Sequence, residues 1–274
     1  MSPDSHPATS IMVGDDGSTG ARAALEWARH LTAALEGRLT IVRARGDTTS
    51  DGPARGELLN NESSLEVTGP TVGALLDASR YVQADLIAVG RRGVGGFSAL
   101  RLGSTAHQLA EHSRSSVAVV PEGSARAHGW WPISFIVAGV DGSPAAAASL
   151  SWAARIATAA RSDVVVVHAV DFFPFAAASG LPQELYDTSL QQRHAEVDSW
   201  CRPLREAGVA HRKIVAEGGP AGVILGAINS VEAQLAVVGR RVQADPPRLA
   251  MGSAAHRVLA FSPCPAIVVP GLSD

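Results

Sequence analysis

Gly90, Gly93, Gly103 and Ser104 fall within GRRGVGGFSALRLGS, residues 90–104, which holds five glycines and three arginines. Glycine loses more backbone freedom on ordering than any other residue, so a cluster needs a reason. Either the stretch is a flexible connector, or something approaches its backbone closely. It follows the apolar run LIAVG and leads into STAHQLAEHS, whose spacing is helical. A strand end that feeds a helix start offers free backbone N–H groups at the positive end of the helix dipole, which favours an anion. Glycines let such N–H groups turn inward around phosphate oxygens, and Arg91, Arg92 or Arg101 would add charge. The chemistry indicated is phosphate binding. A connector would explain the glycines but not their place between strand end and helix start.

A second constellation is DGS, present at Asp16–Ser18 and again at Asp141–Ser143, each after a short apolar run. An Asp–Ser pair is compatible with metal binding or catalysis, but also with a turn whose side chains cap the following helix. His107 and His256, three residues after Ser104 and Ser253, read as packing or capping groups more readily than as charge sensors. Trp27 and Trp152 read as packing residues, and Cys201 and Cys264 as small buried hydrophobes. No Ser/His/Asp triad, paired acids or metal spacing can be assembled, so efficient catalysis is not expected.

The elements that position these groups occur twice. VGDDGSTGARAALEWARHLTAALEGRLTIVRA, from Val13, lies over AGVDGSPAAAASLSWAARIATAARSDVVVVHA, from Ala138, at an offset of 125. Further on, ADLIAVGRR and GSTAH lie over AQLAVVGRR and GSAAH at an offset of 149, pairing Gly90 with Gly239 and Gly103–Ser104 with Gly252–Ser253. The second copy is thus longer in its middle, where LPQELYDTSLQQRHAEVDSWCRPLREAG reads as helix closed by a glycine. The corresponding GDTTSDGPARGELLNNES of the first copy is rich in turn formers and reads as a loop with at most one helical turn. In the first helix Leu25, Ala28, Leu31 and Leu35 are expected to share the buried face.

Strands and helices alternate, and LIAVG, VVVVHA and LAVVG are almost unbroken apolar runs, as in strands covered on both faces. The expected architecture is α/β: two tandem, doubly wound, five-stranded parallel-sheet domains, the first without its second helix. The boundaries are drawn at 1–125 for the first domain, 126–132 for a linker and 133–274 for the second. Ligands of such sheets sit beyond the C-terminal strand ends, where strand order reverses.

Apolar residues make up 46% of the chain, enough for substantial cores, and a net charge of −3 with a pI near 6.3 argues against nucleic-acid binding. The opening MSPDSHPATS lacks a basic start and an apolar region, and no run is long enough for a membrane span. The expectation is a cytoplasmic protein that engages neither nucleic acid nor membrane.

Gly90, Gly93, Gly103 and Ser104 together follow the pattern G-x2-G-x9-G-[S/T], which resembles the nucleotide loop of ATP-binding universal stress proteins. The two DGS turns and SPCPAIVVP near the end resemble the same family, and the resemblance covers both halves, as in its tandem actinobacterial members. It implies a five-stranded, adenine nucleotide α hydrolase-like fold and a ligand of ATP, with or without magnesium. By that resemblance Asp16 and Asp141 lie beside the nucleoside and the backbone near Ala44 and Ala169 lies beside adenine. Gly90, Gly93, Gly103, Ser104 and Thr105 hold the phosphates in the first copy, and Gly239, Gly252 and Ser253 remain for them in the second. The second copy departs from the pattern: Val242 replaces the middle glycine, and QADPPRLAM, with Asp245 and paired prolines, replaces the flexible run. The first copy is therefore expected to be the better phosphate site. The implied function is a nucleotide-dependent stress regulator with an unidentified protein partner, the halves pairing through SVAVVP and PAIVVP as a covalent pseudo-dimer that itself dimerises. A slow magnesium-dependent ATPase and a nucleotide-free scaffold are the alternatives.

Overall fold

A computed structural model of the chain describes residues 8–45, 54–57, 61–94, 101–123, 131–170, 183–240, 243–244, 247–248 and 251–271. The chain divides into two compact units, Met1–Trp131 and Pro132–Asp274.

The first unit runs β1 (Ser10–Gly14), α1 (Thr19–Ala34), β2 (Arg38–Arg45), β3 (Ala54–Glu57), β4 (Glu62–Thr68), α2 (Thr71–Tyr81), β5 (Leu86–Gly90), α3 (Ser104–His112) and β6 (Ser116–Val120). Its strands lie in the order β3-β4-β2-β1-β5-β6. All pairings are parallel except β3 on β4, where Ala54 faces Glu66 and Glu57 faces Ser63. Part of the stretch expected to be a loop is therefore a short antiparallel strand. Its backbone occupies hydrogen-bonding groups along β4 that would otherwise lie open at a sheet edge. Residues 46–53 and 58–60 of that stretch lie outside the described residues.

Ile11, Met12, Val13, Leu86, Ile87 and Ala88 are fully buried, as apolar strands covered on both faces must be. Helix α1 starts where the Ser18 hydroxyl accepts the Ala21 amide at 3.0 Å. Its buried stripe passes through Ala21, Ala24, Trp27, Ala28 and Leu31, while Leu25 and Leu35 stay half-buried. The face is rotated from the expected one because small residues at its start let the helix approach the sheet while the Trp27 ring, 1% exposed, fills the core beyond them.

The second unit comprises β7 (Phe135–Gly139), α4 (Pro144–Ala160), β8 (Asp163–Val170), α5 (Gln183–Trp200), α6 (Arg202–Glu206), β9 (His211–Glu217), α7 (Pro220–Ser230), β10 (Leu235–Arg240), β11 (Gln243–Ala244), β12 (Pro247–Arg248), α8 (Ser253–Phe261) and β13 (Ala266–Pro270). Its five-stranded parallel sheet has the order β9-β8-β7-β10-β13. Strands β11 and β12 form a separate two-residue antiparallel ladder. The extra stretch of this repeat is helical, but it breaks into two helices at Cys201. Pro203, in the first turn of α6, has no N–H to continue the ladder. The Cys201 thiol donates to the Val197 carbonyl at 3.1 Å and is buried, so its role is packing.

Residues 126–130 of the expected linker lie outside the described residues. Among the described residues no helix is long and apolar enough to cross a membrane.

Candidate functional site

In the first unit the chain runs outward from β1 through β2 to β4, then crosses to β5 on the other side of β1. Strand order reverses between β1 and β5, and a cleft opens beyond their C-terminal ends. A cavity of about 400 Å³ lies there. Its wall includes all seven first-repeat candidates: Asp16 after β1, Ala44 on β2, Gly90 and Gly93 at and after the end of β5, and Gly103, Ser104 and Thr105 at the start of α3.

Asp16 is held on both oxygens. Oδ1 accepts the Ser18 amide at 3.0 Å and Oδ2 accepts the Val94 amide at 3.0 Å. Burial raises the pKa of this carboxyl, but the Ser18 and Val94 donors favour the ionised form and together hold it below its ordinary 3.8. The adjacent Asp15, also on the wall, accepts Arg43 Nε at 2.9 Å and the Gly17 amide at 2.9 Å. Asp15 was not singled out in the sequence; the doublet Asp15–Asp16 with an arginine at the end of the next strand is the signal that marks it.

The glycines have a packing role that the sequence did not show. A Cβ on Gly90 would stand 2.5 Å from the Gly20 carbonyl carbon, so β5 and α1 touch backbone to backbone. A Cβ on Gly93 would collide with Asp16 Oδ2, and one on Gly103 would meet the Arg91 carbonyl oxygen at 3.0 Å. The Arg91 amide donates to the Val120 carbonyl at 2.7 Å, and its carbonyl accepts the Gly103 amide at 2.9 Å. These bonds bring the start of α3 against the end of β5. First-turn amides of a helix have no intrahelical acceptor, and Ser104, Thr105 and Ala106 all line the cavity. Arg91 and Arg92 line it too, whereas Arg101 is exposed and off the wall. The arrangement suits an anion at the α3 end and a polar, hydrogen-bonding group at the Asp16 end.

The second unit repeats the cavity at about 340 Å³, and Asp141, Ala169, Gly239, Gly252 and Ser253 all line it. Asp141 Oδ1 accepts the Ser143 amide at 3.1 Å. A Cβ on Gly239 would lie 2.8 Å from the carbonyl carbon of Ala145, the counterpart of Gly20. Where the first unit has Asp15 and Arg43, this one has Val140 and His168, and His168 Nδ1 lies 2.9 Å from the Val140 carbonyl oxygen. A carbonyl can only accept, so Nδ1 carries the hydrogen. The imidazole meets Trp200 edge-on, centroids 5.1 Å apart, and Trp200 covers Gly142 so closely that a Cβ there would stand 2.6 Å from the ring. Val242 and Asp245 lie outside the described residues.

His107 Nε2 stands 3.6 Å from Glu111 Oε2 along α3 and is not on the cavity wall, and His256 is half-buried on α8. Among the described residues no group of three or more His, Cys, Asp or Glu side chains is placed to hold a metal ion.

The sequence model described as "Universal stress protein family" matches residues 54–121 and 134–270. The universal stress protein Rv2624c of Mycobacterium tuberculosis is 28% identical over 280 residues, covering 94% of this chain and 95% of that protein. The universal stress protein Mb2019 of Mycobacterium bovis is 30% identical over 206 residues, 73% of this chain and 62% of that one. Among solved structures, a universal stress protein from Archaeoglobus fulgidus superposes with a TM-score of 0.68 at 15% identity, covering 96% of this chain and 98% of the other. At that identity the likeness is one of fold.

Proposed function

The chain belongs to the universal stress protein family, and from that premise we propose that it binds an adenine nucleotide, ATP in its first unit, and acts in the cytoplasm as a nucleotide-dependent stress regulator. The observation that carries this reading is the convergence of Asp16, Ala44, Gly90, Gly93, Gly103, Ser104 and Thr105 on one cavity wall, although they span about ninety residues of sequence. The α3 amides with Arg91 and Arg92 would hold the phosphates, and Asp16 would accept a nucleoside hydroxyl or amine. Any magnesium would arrive on the phosphate oxygens. A bound nucleotide stabilises the state that binds it, and a protein partner would read the surface so ordered.

The test is to purify the protein without added nucleotide, denature it and quantify the adenylates released. About one ATP per chain, lost in Asp16→Ala, is the expected result. No adenylate released and none taken up on titration would overturn the proposal. Turnover with magnesium that survives repurification and vanishes in Asp16→Ala would make the protein an ATPase instead.

A further inference from the structure

The second unit holds another cavity, of about 350 Å³, between the start of α4 and the junction of α5 with α6. Among the described residues the first unit has no helix between β2 and β4, so nothing there builds the same wall. Helix α4 contributes Ala147 and Leu150 to the lining, and the other two helices contribute Trp200 and Pro203. Trp200 is only half-buried: its indole rests on the bare backbone of Gly142 and meets His168 edge-on. A cavity of this volume is large enough for a small molecule, and an indole left partly open in it can pack against a second ring.

The charge on this wall is positive. Arg202 is its one ionised side chain among the described residues, and Gly142 and Ser143 lie at the N-terminal end of α4, where the helix dipole is positive. Arg202 Nε stands 3.8 Å from Glu206 Oε1, with both side chains largely exposed. That pair is too long for a hydrogen bond and worth little in water, which leaves the guanidinium fork for a carboxylate. The two wall hydroxyls are engaged: Ser143 accepts the Ala146 amide and Ser199 donates to the Glu196 carbonyl at 2.7 Å. Asp141 belongs to the wall of the neighbouring cavity, and Asp198 is held by Lys213, so no carboxylate on this wall opposes an anion.

We propose that this cavity binds a small aromatic monocarboxylate, its ring against Trp200 and its carboxylate on Arg202. Leu150 and Pro203 supply the apolar surface that the ring needs, and a single cation at the wall matches a single negative charge. The site stands whether or not the neighbouring cavity takes an adenylate. It adjoins that cavity, because Ala146 lines both and Trp200 touches His168, which lines the other.

The test uses the full-length protein with its 5 tryptophans carried as 5-fluorotryptophan, the Trp200 fluorine signal being assigned from Trp200→Phe. Phenylacetate, its neutral twin phenylacetamide and ring-free acetate are titrated in turn. Phenylacetate should move the Trp200 signal saturably and bind at least about tenfold more tightly than the other two. Arg202→Gln should erase the preference for phenylacetate over phenylacetamide. Ala147→Leu fills the cavity from an exposed helical position, and should abolish binding with the circular dichroism spectrum unchanged. The proposal is overturned if phenylacetate leaves the Trp200 signal in place, if acetate binds as tightly, or if either variant binds phenylacetate as the unmodified chain does. None of these results touches adenylate binding, which is read separately from the adenylate released on denaturation.

Discussion

Asp16 and Val94 are joined across 78 residues of sequence by a 3.0 Å hydrogen bond from the Val94 amide to Asp16 Oδ2. The bond fixes the first residues after β5 over the same carboxylate that the cavity needs as its polar wall. Val94 itself is 75% exposed, so its backbone, and not its side chain, is what the contact uses.

This contact depends on Gly93. In Gly93→Ala the new methyl collides with Asp16 Oδ2, and either the carboxylate or the loop must move. We expect a loss of about 1–3 kcal/mol in stability and at least about tenfold in ATP affinity. A double-mutant cycle with Asp16→Ala checks the cause: the stability cost of Gly93→Ala should shrink sharply once the carboxylate is gone.

Acid should release the same contact. Because the folded-state pKa of Asp16 lies below its ordinary 3.8, its ionised form stabilises the fold at neutral pH, and that contribution is lost as pH falls through the folded value. Urea unfolding of the unmodified chain and of Asp16→Ala, at pH 7 and well below 3.8, should therefore differ more at pH 7. An equal difference at both values would show that the carboxylate's charge contributes nothing.

Three glycines of similar appearance in sequence should behave differently. Gly90→Ala drives a methyl into the Gly20 backbone and Gly239→Ala drives one against Ala145, and each should cost about 2–3 kcal/mol. Gly252→Ala meets nothing within 4 Å and should change stability by less than about 0.5 kcal/mol. Thermal unfolding ranks all three.

The helix caps are a matched pair across the repeats. The Ser18 hydroxyl accepts the Ala21 amide at 3.0 Å, and Ser143 accepts the Ala146 amide at 3.2 Å. Ser18→Ala and Ser143→Ala should each destabilise by about 1 kcal/mol. Because the caps sit in separate units, the double variant should show the sum of the two effects in chemical denaturation.

What the sequence made legible is whatever depends on local pattern or on internal repetition. Unbroken apolar runs marked β5, β8 and β10, and matching DGS and GS motifs marked both strand-to-helix junctions. The repeat also located the second copy's extra helical stretch, expected as one helix, although its division in two at Cys201 follows from one proline. The packing role of Gly90 stayed hidden because its reason is Gly20, on another element, and sequence spacing cannot show two backbones in contact. The second acceptor bond of Asp16 was hidden for the same reason. The face of α1 was misjudged because leucine content outweighed the small residues at 20, 21 and 24, which set how closely the helix sits. Strand β3 carries the composition of a turn, and only its neighbour β4 makes it a strand.

The Gly103 amide bonded to the Arg91 carbonyl ties together the two ends of the stretch between them, as a drawstring closes a bag. The cost of closing a loop grows only with the logarithm of its length, about 0.6 kcal/mol for each doubling. The knot, and not the length of chain it gathers, is what the fold requires. A reporter inserted after Val94 should therefore leave that bond, and with it the junction of β5 and α3, in place.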